Sequence, residues 1–159
     1  GPARDLHSGT FGGAVDNPFN VLIRLLAQIQ DGETRKILIP GFYDKVRTLS
    51  DEEREVLRQF PLDEDKWLQN AGAPQIWGEP EFSLVERIGA RPTLDVNGIG
   101  GGFQGEGGKT IIPAEAMAKP LAMAAVVFPI ASSESVIFRV SGPRPAISEI
   151  PPALFAMGP

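Results

Sequence analysis

The run Thr93-Leu94-Asp95-Val96-Asn97-Gly98-Ile99, continued by Gly100-Gly101-Gly102-Phe103-Gln104-Gly105-Glu106-Gly107-Gly108-Lys109-Thr110-Ile111-Ile112-Pro113, decides the fold class. Leu94 and Val96 alternate with Thr93, Asp95 and Asn97, the period of two that marks a half-buried strand. Six glycines between Gly98 and Gly107 then make a loop or bulged turn. Lys109 to Ile112 resumes as a β-branched strand stopped by Pro113, so the two segments predict an antiparallel pair. Gly100 to Gly105 formally satisfies the G-x-G-x-x-G pattern, but a dinucleotide site needs a helix next, whose positive end meets the pyrophosphate. Thr110-Ile111-Ile112-Pro113 follows instead. Gly108-Lys109-Thr110 mimics the end of a phosphate loop, yet Phe103 stands where its opening glycine belongs and Glu106 would repel phosphate. A strand connection is the better reading.

Upstream of this strand the period is helical. Asn17 caps and Pro18 suits the first helical position, and Phe19, Leu22, Leu25, Leu26 and Ile29 recur at helical spacing, which predicts a helix over Pro18 to Gln30. Lys36 to Ile39 reads as a short extended segment cut off by Pro40-Gly41. Ser50 with Glu53 forms a capping-box pattern, and a helix runs from there to about Phe60. Two more short helices are expected over Asp63 to Asn70, with Trp67 and Leu68 inward, and over Pro80 to Ile88. The clustered acids Asp51-Glu52-Glu53 and Asp63-Glu64-Asp65 are helix starts favourable to the dipole rather than metal sites. Ala114 to Lys119 is ambiguous between one helical turn and a short strand. From Pro120 the composition shifts, with 4 charged side chains in the last 40 residues against 31 in the first 119. Only Val136 to Val140 looks strand-like there.

The 159 residues suffice for one core and not for two ordinary domains. With 15 basic against 20 acidic side chains, the net charge of −5 gives little footing for a phosphate backbone, so nucleic acid is not an expected partner. No apolar run is long enough for a membrane span. The absence of cysteine removes disulfides, thiolate ligands and cysteine nucleophiles, and a single histidine, His7, cannot build a zinc site needing two imidazoles. Any metal chemistry must borrow its ligands. Gly1 opens the chain in mid-phrase, so it reads as a piece of a longer one. Taken alone, His7 reads as an ordinary surface or satisfied loop histidine, and a serine triad with the adjacent Ser8 is poor because neighbouring residues rarely align.

Four phrases together go further. Asp5-Leu6-His7-Ser8-Gly9 with Phe11-Gly12-Gly13-Ala14-Val15 and Asn17-Pro18, then Ile37-Leu38-Ile39-Pro40-Gly41-Phe42-Tyr43, then Pro92 to Ile99, then Gly105 to Pro113, occur in one order across residues 1–119. This series resembles the lid, or dimerisation, domain of the zinc dipeptidase family that includes carnosinases, aminoacylases, acetylornithine deacetylase and succinyl-diaminopimelate desuccinylase. The resemblance implies an α/β (α+β) two-layer sandwich, a ferredoxin-like antiparallel sheet with helices on one face, here incomplete and followed by an irregular C-terminal tail over 120–159 that is foreign to the family or disordered. It implies a homodimer through the lid, a dipeptide or acyl-amino acid substrate, and a cytoplasmic setting. Two zinc ions would be held by a catalytic domain that this chain lacks, so the chain alone should not hydrolyse anything. By the same resemblance His7 donates a hydrogen bond to the oxyanion in the partner subunit's active site, and Thr110 holds the substrate carboxylate. Where the family places an arginine clamp for that carboxylate, thirteen residues after the threonine, this sequence has Met123. The alternative is a dimerisation module without a role in chemistry.

Overall fold

The structure, a computed structural model, describes residues 1–123, 133–135 and 138–140. Its centre is helix α2 (Pro18–Gln28) laid across a sheet. Asn17 caps α2 by accepting the Phe19 N–H at 2.9 Å, with Pro18 at the position where a missing N–H is harmless. The helical spacing read from the sequence is the buried stripe: Val21, Leu22 and Leu25 on the helix, then Ile29, join Ile37, Ile39 and Phe42 in one core. Ala116, Ala118 and Ala122 complete it from the sheet side. Their short side chains let the helix approach the strand closely.

That strand is the principal correction. β1 (Leu6–His7), β2 (Thr93–Gly101), β3 (Ile111–Ile112) and β4 (Ala116–Met123) do not pair as the sequence suggests. β2 lies antiparallel against β4, with Thr93 opposite Met123 and Gly101 opposite Ala116, whereas β3 pairs with β1. The ambiguous Ala114 to Lys119 segment thus becomes the central strand. Its alanines prefer helix locally, and burial under α2 overrides that preference. β5 (Ser133–Ser135) and β6 (Phe138–Val140) take the other edge of β4. Pro120 lies in the strand interior, opposite Val96, and the register of β2 shifts between Val96 and Ile99. On the far edge β5 pairs along Leu121–Met123 and β6 along Ala116–Ala118. A proline has no N–H to give a ladder, and the register shift of β2 begins beside its partner Val96. The result is of the expected antiparallel α+β class, with the strands divided between two small sheets where one was expected.

β2 also runs further than its alternation, taking in Gly98 to Gly101. The glycines after the bulge are packing glycines. Gly101 and Gly102 have φ of +118° and +63°, and a Cβ at Gly101 would meet the Glu115 carbonyl oxygen at 2.8 Å and one at Gly102 the Phe19 ring at 2.9 Å. Leu94 packs against the core, while Val96 is exposed. The expected extended segment over Lys36 to Ile39 is reduced to one antiparallel bridge, Gln30 to Ile37.

Three short helices fill the excursion between α2 and β2: α3 (Asp51–Arg58), α4 (Glu64–Ala71) and α5 (Leu84–Gly89). Trp67 and Leu68 of α4 are half-buried. α5 starts later than Pro80 because Ser83 caps it, accepting the Glu86 N–H while Glu86 takes the Ser83 N–H at 2.7 Å. α3 has the predicted box from Ser50 and Glu53. Arg47, 2.7 Å away, and then the Ser50 amide hold the Glu53 carboxyl at about 2, against an ordinary 4.5. A carboxyl depressed by folding contributes stability that is complete above pH 4.5 and is lost as the pH falls through about 2. The α3 amides are therefore expected to lose protection from exchange across that interval in the wild type. In Glu53→Gln the loss should be smaller, the remainder coming from Glu52 and Glu55 of the same helix, which are also held below their ordinary value, and an unchanged acid transition would remove Glu53 as a source.

Of residues 120–159, those not named above lie outside the described residues, and with them the expected irregular or disordered tail and Val136 and Ile137 of the strand-like phrase. Phe138 to Val140 of that phrase is β6.

Candidate functional site

His7 and Thr110 are 103 residues apart in sequence, and the small β1–β3 ribbon brings them together. Leu6 pairs with Ile112 and His7 with Ile111. One step further, the Ser8 N–H donates to the Thr110 carbonyl at 3.1 Å. At the other end of the ribbon the Asp5 carboxylate accepts the Ala114 N–H at 2.9 Å. Ile112 is buried and anchors the ribbon, while alternation along the strands turns His7 outward.

The side chains of His7 and Thr110 meet, with Nε2 and Oγ1 3.1 Å apart, and both residues are exposed. On its other side the ring caps α1 (Ser8–Phe11): Nδ1 accepts the Gly9 N–H at 3.1 Å. The imidazole is therefore held at both nitrogens by short-range neighbours and yet stands at the surface. Two shallow grooves border the pair, and His7 and Thr110 line neither. One, of about 520 Å³, is lined by the Gly12–Asn17 turn, Asn20 and Ile112. The other, of about 480 Å³, lies between Phe19 and the glycine-rich turn, with Lys109 at its edge and the Lys109 ammonium 5.3 Å from the Phe103 ring. An exposed donor pair beside shallow grooves can offer hydrogen bonds to something that docks on it. It cannot enclose a substrate.

The dinucleotide-like glycines fit that view. Gly101 and Gly102 are used against β4 and α2, and the next element is β3, not a helix aimed at a phosphate. Met123, at the position of the expected arginine, ends β4. Among the described residues, no three histidine, aspartate or glutamate side chains gather where a metal could bind. Among the described residues nothing therefore fits the two zinc ions that the resemblance implies, and no residue described is assigned to a metal. No helix among the described residues is long and apolar enough to cross a membrane.

The sequence reading missed the supports of the pair. Asp5 and Gly9 stand in the phrase around His7, but nothing local indicates that one locks residue 114 and the other caps into the imidazole. It also missed a buried polar knot behind β2. Glu79 accepts from Arg91 at 2.6 and 2.9 Å and from the Tyr43 hydroxyl at 3.3 Å, and that hydroxyl accepts the Ile37 N–H at 2.9 Å.

Residues 2–120 match the family model for a peptidase dimerisation domain. The chain is 35% identical over 119 residues to the Cys-Gly metallodipeptidase DUG1 of Candida albicans, covering 75% of this chain and 24% of that protein. It is 32% identical over 116 residues to the Beta-Ala-His dipeptidase of Homo sapiens, covering 73% of this chain and 23% of that one. Among solved structures, the di-peptidase Dug1p from Saccharomyces cerevisiae superposes with a TM-score of 0.67 at 28% identity, over 81% of this chain and 27% of that chain. The chain spans about a quarter of the length of the curated relatives it matches.

Proposed function

The chain belongs to the peptidase dimerisation domain family, and from there we propose that it is the lid of a dimeric metallodipeptidase, contributing His7 and Thr110 to an active site that another subunit encloses. The observation that carries this reading is the exposed His7–Thr110 pair, its side chains 3.1 Å apart, held by a ribbon of two strands from opposite ends of the domain. An imidazole N–H placed on the outside of a rigid ribbon can serve an oxyanion only in a neighbouring body. Attack on an amide carbonyl leaves negative charge on oxygen, and a fixed donor meets that charge without reorganising. His7 is that donor, and Thr110 offers its hydroxyl to the substrate's terminal carboxylate. The substrate is a dipeptide or an acyl-amino acid, the class in which an amide and a free carboxylate lie within a few bonds of each other. The metal, zinc in this reading, belongs to the catalytic domain, and no residue here is assigned to it.

Homodimerisation goes with the proposal, because the donor must act in trans. The outer edge of β2 has no strand partner among the described residues. Val96 and Ile99 are exposed along it, a surface suited to covering by a second copy. Within this reading residues 1–119 are the lid and 120–159 a divergent continuation, and the family match over residues 2–120 supports that division.

Complementation tests the reading. A metallodipeptidase relative from which the lid has been deleted is mixed with this chain, and dipeptide cleavage is followed. Restored cleavage that grows with added chain is the expected result. If the chain binds the lidless subunit and cleavage stays at its background, it is a dimerisation module without a part in the chemistry.

A further inference from the structure

Gly9 stands inside α1 although its backbone does not need a glycine: it is absent from the residues with positive φ. Glycine is the poorest helix former after proline, so its presence calls for another reason. The reason lies in the ring above it. A Cβ on residue 9 would meet His7 Cε1 at 2.7 Å and Nδ1 at 3.0 Å. We propose that Gly9 is a positioning residue for His7: the missing Cβ lets the imidazole fold back onto the Gly9 amide, and that one bond sets which nitrogen carries the proton.

The proton assignment follows from donor counting. A neutral imidazole has one N–H and one bare nitrogen. Nδ1 accepts from the Gly9 N–H, so Nδ1 is the bare one and the proton sits on Nε2. Nε2 faces Thr110 Oγ1 at 3.1 Å, and Thr110 is therefore the acceptor in that contact. Its own O–H is left to point at a third group. The reverse arrangement, with the threonine donating to Nε2, would put a proton on Nδ1 facing the Gly9 N–H, donor against donor. The pair so arranged is a ready supply of two donors. Nε2–H rests on a neutral hydroxyl until a more negative oxygen takes it, and the threonine proton is directed outward from the start.

For its purpose this inference rests on the reading of His7 as a donor in trans, but its test does not. His7 is the chain's only histidine, so its ring signals in nitrogen and proton NMR are unambiguous. In the full wild-type chain, in alkaline buffer where an imidazole is neutral, Nδ1 should resonate as unprotonated and Nε2 as protonated. A strong Overhauser contact should link the ring Hε1 to the Gly9 α protons. Gly9→Ala is expected to abolish that contact and to draw the two nitrogen signals toward each other, as in an imidazole free to exchange between its two tautomers, with the remaining amide spectrum kept. Thr110→Val should leave Nδ1 unprotonated, because the Gly9 amide is untouched. A protonated Nδ1 in the wild type, wild-type ring signals in Gly9→Ala, or a proton moved to Nδ1 in Thr110→Val would each overturn the proposal. Should Gly9→Ala fail to fold, the other two measurements decide. If the NMR results hold and complementation fails, the functional reading is lost and the positioning role of Gly9 stands.

Discussion

A chain carrying His7→Ala is expected to restore dipeptide cleavage at least about a hundredfold less well than the wild-type chain, with binding to the lidless subunit unchanged. The size of the effect comes from where the imidazole acts. A donor aimed at charge that exists only in the transition state contributes little to substrate affinity and much to turnover, so kcat should fall and KM should barely move. The fold offers no competing explanation. His7 is exposed, its side chain meets Thr110 and caps a four-residue helix, and the core under α2 does not include it. The variant should therefore keep the wild-type fold by circular dichroism, with thermal stability lowered by no more than the loss of one helix cap, about 1 kcal/mol. Thr110→Val should act differently, raising KM more than it lowers kcat, because a carboxylate contact is present in substrate and transition state alike. Wild-type turnover with His7→Ala would end the oxyanion assignment, whatever the chain does for dimerisation.

The second large effect concerns stability. Arg91→Ala is expected to destabilise the domain by about 3–5 kcal/mol, the range for removing one partner of a buried ion pair. The Glu79 carboxylate is nearly buried and takes three hydrogen bonds, two from Arg91 and one from Tyr43. Without the guanidinium its charge stays in a low-dielectric site with only the phenol as donor. Arg91 also lies 4.2 Å from the centre of the Phe82 ring and 5.3 Å from that of Tyr43. Burial first, and the Glu79 charge after it, push the Tyr43 phenol above its ordinary range, which keeps it a donor to Glu79. The knot joins three distant points of the chain: the Ile37–Tyr43 segment in the core, the approach to α5, and the start of β2. Its loss should loosen the whole excursion against the sheet. Urea unfolding measures the change. Glu79→Gln with Arg91→Met should recover most of it, because the cost comes from the orphaned charge and not from the missing pair. A loss of stability in Arg91→Ala that stays within the range of a surface substitution would show that the pair is solvated.

Helices were the legible part of the fold. The caps of α2, α3 and α4 are written within three residues of each helix start, and the stripe of α2 repeats with the helical period. Strand existence was legible for β2 and β3 and not for β1 or β4, and strand partnership was not legible at all. Ile111 and Ile112 follow β2 closely in sequence and pair with β1 instead, because the glycine-rich turn leaves β2 against β4 and sends the chain back under His7. Nothing in Ala114 to Lys119 announces a central strand. Its residues are small because a helix lies on them, and that helix is almost a hundred residues away. Pro120 argues against a central strand by any local rule, yet it lies inside β4 opposite Val96, beside the register shift of β2.

The candidate site divides along the same line. His7 and Thr110 were singled out by resemblance, one at the head of the chain and the other after the glycine run, and no pattern in the residues said that they touch. Asp5 and Gly9 were in view and carried no role, since a carboxylate that locks a backbone amide 109 positions later has no signature in its neighbours.

By itself the sequence determined the class of the domain, the starts and caps of α2, α3 and α4, and the apolar stripe of α2. These are properties of near neighbours along the chain, where backbone preference and capping act over three or four residues. Tertiary structure alone decided which strands pair, that alanines and a proline form the sheet's middle, that Arg91 and Glu79 bury each other, and that one imidazole is held between Gly9 and Thr110. Apart from the Gly9 contact, two residues from His7, these join groups distant in sequence, and such contacts are chosen by the shape and burial of the whole fold.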